Sequence, residues 1–130
     1  MLKFHHIGLL VENLEFSMRQ YSNLFGEQNI SKVHEIHSQK VNVCFVKVGD
    51  DSYIELVEPL GKDSIVYKLL KKRISYYHIG YKVSNISATI KKLEALNHKV
   101  MGEFNSEAFG GGKCVFLFTP ETHLIELIED

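Results

Sequence analysis

Two histidines and two glutamates stand at matched places in this chain, and together they could hold a metal ion. His6 and His78 are each followed by Ile-Gly, and Glu55 and Glu126 each sit in an Ile-Glu-Leu segment. Two imidazoles and two carboxylates make a nitrogen and oxygen donor set suited to Zn²⁺, Ni²⁺, Co²⁺, Mn²⁺ or Fe²⁺. Each residue is flanked by apolar neighbours, so each carboxylate is expected to be buried. A buried carboxylate is costly unless it is paired or coordinates a metal. No local HxxxH-type spacing supports the set; what supports it is the recurrence of the same residue types at matched places.

The repetition extends beyond the four residues. Phe4 to Leu14 resembles Tyr76 to Ile86 at an offset of 72, with His, Ile, Gly, Val and Asn identical. Ile54-Glu55-Leu56-Val57-Glu58 resembles Ile125-Glu126-Leu127-Ile128-Glu129 at an offset of 71. Two segments repeated in the same order at nearly one offset read as two copies of one unit. The first copy spans residues 1–60 and the second 74–130, with 61–73 as linker and Ser64 to Lys72 as a short bridging helix.

Each copy carries the same signals. His5 to Val11 and Tyr76 to Val83 are β-branched and aromatic runs, hence strands. Asn13, and Ser84 or Asn85, offer side-chain oxygens to cap a following helix. Leu14, Met18, Tyr21, Leu24 and Phe25 share one helical face, as do Ile86, Ile90, Leu93 and Leu96. Gly26 and Asn97 are helix stops. Three strands follow in each copy: about 30–36, 41–48 and 52–58, then 99–104, 113–118 and 123–129. The expected fold is α+β: paired βαβββ modules in one domain, with a cleft between two curved sheets. Alternation along the strands places Ile7 and Leu9 opposite His6, and Ile54 and Leu56 opposite Glu55. All four candidate donors then face the cleft.

Composition narrows the function classes. A chain of 130 residues is one domain, with 45% hydrophobic and 24% charged residues as in ordinary globular proteins. Fifteen Lys and Arg against sixteen Asp and Glu give a formal charge of -1, which argues against nucleic acid as partner. No apolar run reaches the roughly 20 residues that span a bilayer, so no membrane role is expected. Cys44 and Cys114 lie in apolar runs and read as buried free thiols, and with no signal peptide evident the expected location is the cytoplasm.

His-Ile-Gly-x-x-Val near the start, Ile-Glu-Leu-Val-Glu-Pro-Leu-Gly-Lys-Asp-Ser, Tyr-His-Ile-Gly-Tyr-Lys-Val and Leu-Ile-Glu-Leu-Ile resemble the vicinal oxygen chelate (glyoxalase/bleomycin resistance) superfamily. Within it, the chain is most similar to the methylmalonyl-CoA epimerases and small glyoxalase I-like proteins. The resemblance implies the glyoxalase fold, a metal-centred cleft, and one divalent ion (Co, Ni, Mn or Zn) on His6, Glu55, His78 and Glu126. It also implies a small-molecule substrate with two chelating oxygens, and a homodimer. The ion would stabilise an enolate left by loss of a carbon-bound proton, with Glu55 and Glu126 as the catalytic carboxylates. Protonation on the opposite face gives epimerisation of a 2-substituted acyl-CoA such as methylmalonyl-CoA. Transfer to the adjacent carbon gives a glyoxalase I-like lyase on a methylglyoxal-thiol adduct. Some relatives of this fold only bind small molecules or antibiotics. His37-Ser38-Gln39 stands where many epimerases carry Pro-Glu, and the hairpin Thr119 to His123 lacks their His-Pro.

The other chemical residues read as structural. His5 is expected to point away from His6, toward the helix layer or solvent. His34, His37, His98 and His123 fall near strand ends, and Glu58 and Glu129 at strand ends read as exposed. Phe45, Tyr53, Phe116 and Phe118 read as core. Lys68, Lys71, Lys72 and Arg73 read as a solvated helix face. Ser106 to Gly112, with three consecutive glycines, reads as a flexible lid.

Overall fold

A computed structural model describes all 130 residues. The first half runs β1 (Lys3–Leu10), α1 (Leu14–Phe25), β2 (His34–Ile36), β3 (Val41–Lys47) and β4 (Tyr53–Pro59). A short helix α2 (Ile65–Lys71) leads to the second half: β5 (Tyr76–Val83), α3 (Ile86–Ala95), β6 (Lys99–Ser106), β7 (Gly112–Phe118) and β8 (Leu124–Glu129). Both halves are βαβββ. The fold is α+β, as expected from the sequence.

The eight strands form one sheet in the order β2-β3-β4-β1-β5-β8-β7-β6, which reads the same from either end once the halves are exchanged. β1 runs parallel to β4, and β5 parallel to β8. The halves join where β1 meets β5 in antiparallel fashion. The sheet therefore has a pseudo-two-fold at its centre and curls into a half-barrel.

Alternation sorts the strands' side chains. Leu56, Cys44 and Val46 pack with Leu14 beneath α1. Leu127, Leu117 and Val115 pack with Ile86 and Leu93 beneath α3. Val57 and Ile128, next along their strands, join Leu10, Val43 and Phe104 in the core of the concave side. Glu55 and Glu126 precede Leu56 and Leu127, so they face the concave side too.

The helix starts repeat in detail. Asn13 Oδ1 accepts from Phe16 N at 2.9 Å, and Asn85 Oδ1 from Ala88 N at 3.0 Å. Glu58 Oε2 accepts from Leu14 N at 2.7 Å, and Glu129 Oε2 from Ile86 N at 2.9 Å. Glu129 is exposed as expected and Glu58 is half-buried, but both have a structural role that the strand-end reading lacks. Each ties its strand to its helix and places negative charge at the helix's positive end. Asn97 ends the α3 region with a φ of 65°, a left-handed conformation that Asn tolerates.

Two stretches differ from expectation. The strand expected from residue 30 shrinks to His34–Ile36, with a lone bridge at Ile30 to Val46. Ser31 instead holds Phe45: its Oγ accepts from Phe45 N, and its N–H donates to the Phe45 carbonyl, both at 2.8 Å. The expected lid at 106–112 is a 3-10 turn, Glu107–Phe109, capped by Ser106 Oγ on Ala108 N. Phe109 packs into the site described next.

Candidate metal centre

Strand register brings the four candidate donors together. Across β4, β1 and β5, Glu55 pairs with Gly8, and Gly8 with His78. Across β1, β5 and β8, His6 pairs with Gly80, and Gly80 with Glu126. Directly opposed residues project to the same sheet face, so each row reads Glu, Gly, His. Glycine is required in the middle because the histidine rings lie over it. A Cβ on Gly8 would come within 2.5 Å of His78 Cε1, and one on Gly80 would meet the His6 ring more closely still. This explains the glycine two residues after each histidine.

The four donor atoms lie within 4.8 Å of one another. His6 Nε2 is 3.0 Å from His78 Nε2, 3.3 Å from Glu55 Oε1 and 3.1 Å from Glu126 Oε1. His78 Nε2 is 3.1 Å from Glu55 Oε1 and 3.4 Å from Glu126 Oε1. All four residues are buried, none more than 4% exposed. One oxygen of each carboxylate makes all these contacts.

The electrostatics follow from burial and contact. Burial opposes charge on Glu55, but hydrogen bonding to His6, its charge and His78 prevail and hold the carboxyl below the usual range. Glu126 is lowered in the same way against its own burial, by His6 and then His78. Burial also opposes protonation of His6, yet the Glu126 and Glu55 carboxylates against its Nε2 push it up to about 9. The facing Nε2 atoms can hold one proton between them, not two. Glu126 Oε1 and His78 Nδ1 are buried with no hydrogen-bond partner.

This donor set fits a divalent cation. Two carboxylates balance its charge, and two imidazole Nε2 atoms face the same point. Metal–donor bonds of about 2.0–2.2 Å place neighbouring donors roughly 3 Å apart, as these five contacts are. Glu126 Oε1, buried and close to both imidazoles but aligned for a hydrogen bond to neither, points to the same conclusion, since buried acceptors rarely go unused.

The aromatic wall differs from expectation. His5 is buried, with Nδ1 2.8 Å from His6 Nδ1. Its ring stacks on Tyr53 at 4.9 Å and meets the edges of Phe45 and Phe109. Burial first, then the neighbouring His6, lower it to about 4. The expectation that His5 turns away from His6 fails because β1 is bulged there. Phe4 pairs with Tyr81 and His6 with Gly80, so His5 is the extra residue. Tyr77 is its counterpart, extra between His78 and Tyr76 against Gly8 and Leu9. A bulge is not encoded in alternation, so only the doubled His-His hinted at it. Phe109 had no sequence signal, because it sits on the turn joining β6 to β7, where strand alternation does not set a side chain's direction.

A small cleft beside the donors is lined by Glu55, His78, Glu126, Gln39, Tyr77 and apolar residues. It shares Gln39, Tyr77, Phe104 and Phe116 with an apolar cavity of about 400 Å³ reaching Ile65, Met101 and Leu124. Phe45, expected in the core, is buried; Phe116 and Phe118 line the cavity instead. Lys68, Lys71, Lys72 and Arg73 are exposed, and the hollow that Lys62 and Lys71 line shares no residue with the donor cleft. His37 and His123 are exposed, and His34 and His98 partly so. No helix is long and apolar enough to cross a membrane.

Comparison with known proteins gives the fold its family. The model of the glyoxalase/bleomycin resistance protein/dioxygenase superfamily matches residues 5–116. The chain is 30% identical to Bacillus subtilis YqjC, over 99% of this chain and 93% of that protein. It is 30% identical to the mitochondrial methylmalonyl-CoA epimerase of Dictyostelium discoideum, over 98% of this chain and 78% of the relative. A solved Streptomyces coelicolor methylmalonyl-CoA epimerase variant, in complex with 2-nitronate-propionyl-CoA, superposes with a TM-score of 0.85 at 25% identity. That match covers 100% of this chain and 96% of the epimerase. The chain belongs to the glyoxalase/bleomycin resistance/dioxygenase superfamily.

Proposed function

We propose that this protein is a divalent-metal-dependent isomerase that epimerises a 2-substituted acyl-CoA, with methylmalonyl-CoA as first choice. His6, Glu55, His78 and Glu126 would hold the ion, and Co²⁺, Ni²⁺, Mn²⁺ or Zn²⁺ suits this mixed set. Bound there, it would supply Lewis-acid stabilisation to substrate oxygens as negative charge develops on them. The observation that carries the reading is the convergence of two imidazoles and two carboxylates, related by the pseudo-two-fold, at the end of an apolar cavity.

The rest of the work falls to the chain's own side chains. The second oxygen of Glu55 and of Glu126 takes no part in the imidazole contacts. That oxygen is the one assigned to exchange a proton with a carbon held at the site. One glutamate removes the proton from the carbon beside the thioester carbonyl, and the other returns one on the opposite face. Glu55 and Glu126 are the only carboxylates lining the donor cleft. Gln39, on the 3-10 turn His37–Gln39, also lines it and is a neutral amide that cannot accept that proton. Tyr77, Phe104 and Phe116 exclude water from the reacting carbon, and the cavity's volume is within the usual range for small-molecule sites.

Having no carboxylate beyond the two proposed ligands also favours a second reading, a glyoxalase I-like lyase. There a single glutamate moves a proton between adjacent carbons of a methylglyoxal-thiol adduct. Solvent deuterium separates the readings. Metal-loaded protein should exchange the C2 proton of methylmalonyl-CoA, and both Glu55→Gln and Glu126→Gln should lose exchange, with metal content measured in the same samples. Turnover of the glutathione adduct alone would select the lyase. Exchange of neither substrate by protein with a full complement of ion would leave a small-molecule-binding protein of the same fold.

A further inference from the structure

The pseudo-symmetry of the donor set is broken immediately behind the histidines, and the break gives one of them a partner the other lacks. Each half bulges its central strand at the residue before the donor histidine, turning that residue onto the face of the site. In the first half the residue is His5, whose Nδ1 lies 2.8 Å from His6 Nδ1. In the second half it is Tyr77. Its ring leans on His78 at 4.7 Å, and His78 Nδ1 stays buried without a partner.

We infer that His5 is a positioning residue that fixes the His6 ring and its tautomer so that Nε2 is presented bare to a cation. This rests on the metal reading above. If His6 gives its Nε2 lone pair to an ion, its proton must sit on Nδ1. That Nδ1–H then donates to His5 Nδ1, and His5 carries its own proton on Nε2. A ligating imidazole commonly donates its other N–H in this way, which fixes ring orientation and raises basicity. The acceptor here is unusual in being a second neutral ring. That ring is held by stacking on Tyr53 and by the edges of Phe45 and Phe109. The consequence is asymmetric: the Nδ1 side of His6 is tied to His5, leaving Nε2 as the nitrogen that gives up its proton to an ion, whereas the Nδ1 side of His78 is held by packing alone.

Two substitutions separate the acceptor from the packing. His5→Phe keeps an aromatic ring against Tyr53, Phe45 and Phe109 but removes the ring nitrogen. His5→Asn places a polar amide atom near the lost Nδ1. The readouts are Zn²⁺ and Co²⁺ affinity of chelator-stripped protein by calorimetry, and urea stability of the same metal-free samples. His5→Phe is expected to weaken binding about 10–100-fold with little change in urea midpoint, and His5→Asn to restore most of it. Binding by His5→Phe within threefold of wild type overturns the inference, as does equal weakness of both variants.

Nitrogen-15 NMR of the Zn²⁺-loaded wild type tests the same point without a variant. It should find His6 protonated at Nδ1 and His5 at Nε2, and a proton on His5 Nδ1 overturns the role. Failure of the metal reading itself is distinct: the wild type would then bind neither ion, and this role would fall with it.

Discussion

Substituting Gly8 by Ala tests the site through the backbone, without touching a donor. The new methyl carbon would start 2.5 Å from His78 Cε1, where ordinary contact begins at 3.4 Å. The ring must therefore retreat by about 0.9 Å, the difference between those distances. His78 is buried, and a retreat from β1 carries its Nε2 away from the point the other three donors share. Metal–donor distances tolerate only about ±0.2 Å, so a shift several times larger removes His78 from the set. Affinity for Co²⁺ or Zn²⁺ should fall further than the roughly 10–100-fold seen when a ligand loses a supporting partner. Overpacking should also cost about 1–3 kcal/mol of stability. Gly102→Ala is the control, because a Cβ there meets nothing within 4 Å. Calorimetric titration of stripped protein and urea denaturation would be run on both variants. Near-normal metal affinity in a folded Gly8→Ala protein would refute the account of the glycine rows.

Further expectations concern the fold and its charges. Glu58→Ala and Glu129→Ala should each cost about 0.5–2 kcal/mol through loss of the acceptor at the start of α1 or α3, read from urea midpoints. In metal-free protein, His6 is raised from 6.5 to about 9, so its contribution is complete below pH 6.5 and is lost as pH rises through about 9. Glu55 and Glu126 are lowered from 4.5, so theirs is present above that pH and is lost on acidification. A metal-free melting temperature that climbs between pH 7 and 9 would contradict the ion-paired network. Burial, and then Glu55, raise the Cys44 thiol to about 11, and burial first also raises Cys114. Both should resist a thiol reagent at pH 7.5 until urea unfolds the chain, and rapid labelling of the native protein would show the assigned burial to be wrong.

The repeat made the architecture legible in advance. Matching His-Ile-Gly and Ile-Glu-Leu segments at offsets of 72 and 71 gave two βαβββ units and named the four residues that the sheet brings together. Helix α1 was legible to its ends, because Asn13 and Gly26 are capping and stopping residues with direct physical roles. What stayed hidden depends on geometry between elements. His5 was misplaced because strict alternation holds only in an unbulged strand. Glu58 and Glu129 have a role the sequence does not signal, because a strand-end carboxylate gives no local sign that a helix N-terminus lies across from it. Phe109 reaches the site from a turn rich in glycine, a composition that suggests mobility and not packing. Gly8 and Gly80 are visible in the repeated His-Ile-Gly, but the ring that lies over each comes from the other half and is set by register.

Neither half of the chain carries more than one imidazole and one carboxylate of the set, and the sheet joins the halves only where β1 pairs with β5. A partly folded chain with one half formed therefore has too few donors to compete for an ion. Chelation free energy enters only when the halves dock, so a bound ion would act as a removable clasp across the molecule's central seam. At a free ion concentration 100 times Kd, mass action favours the clasped state by about 2.7 kcal/mol. That gain would be concentrated in the opening of β1 from β5. Added metal would slow hydrogen exchange most at amides bonded across this seam, and least within the β3–β4 and β6–β7 hairpins, which can open without parting it.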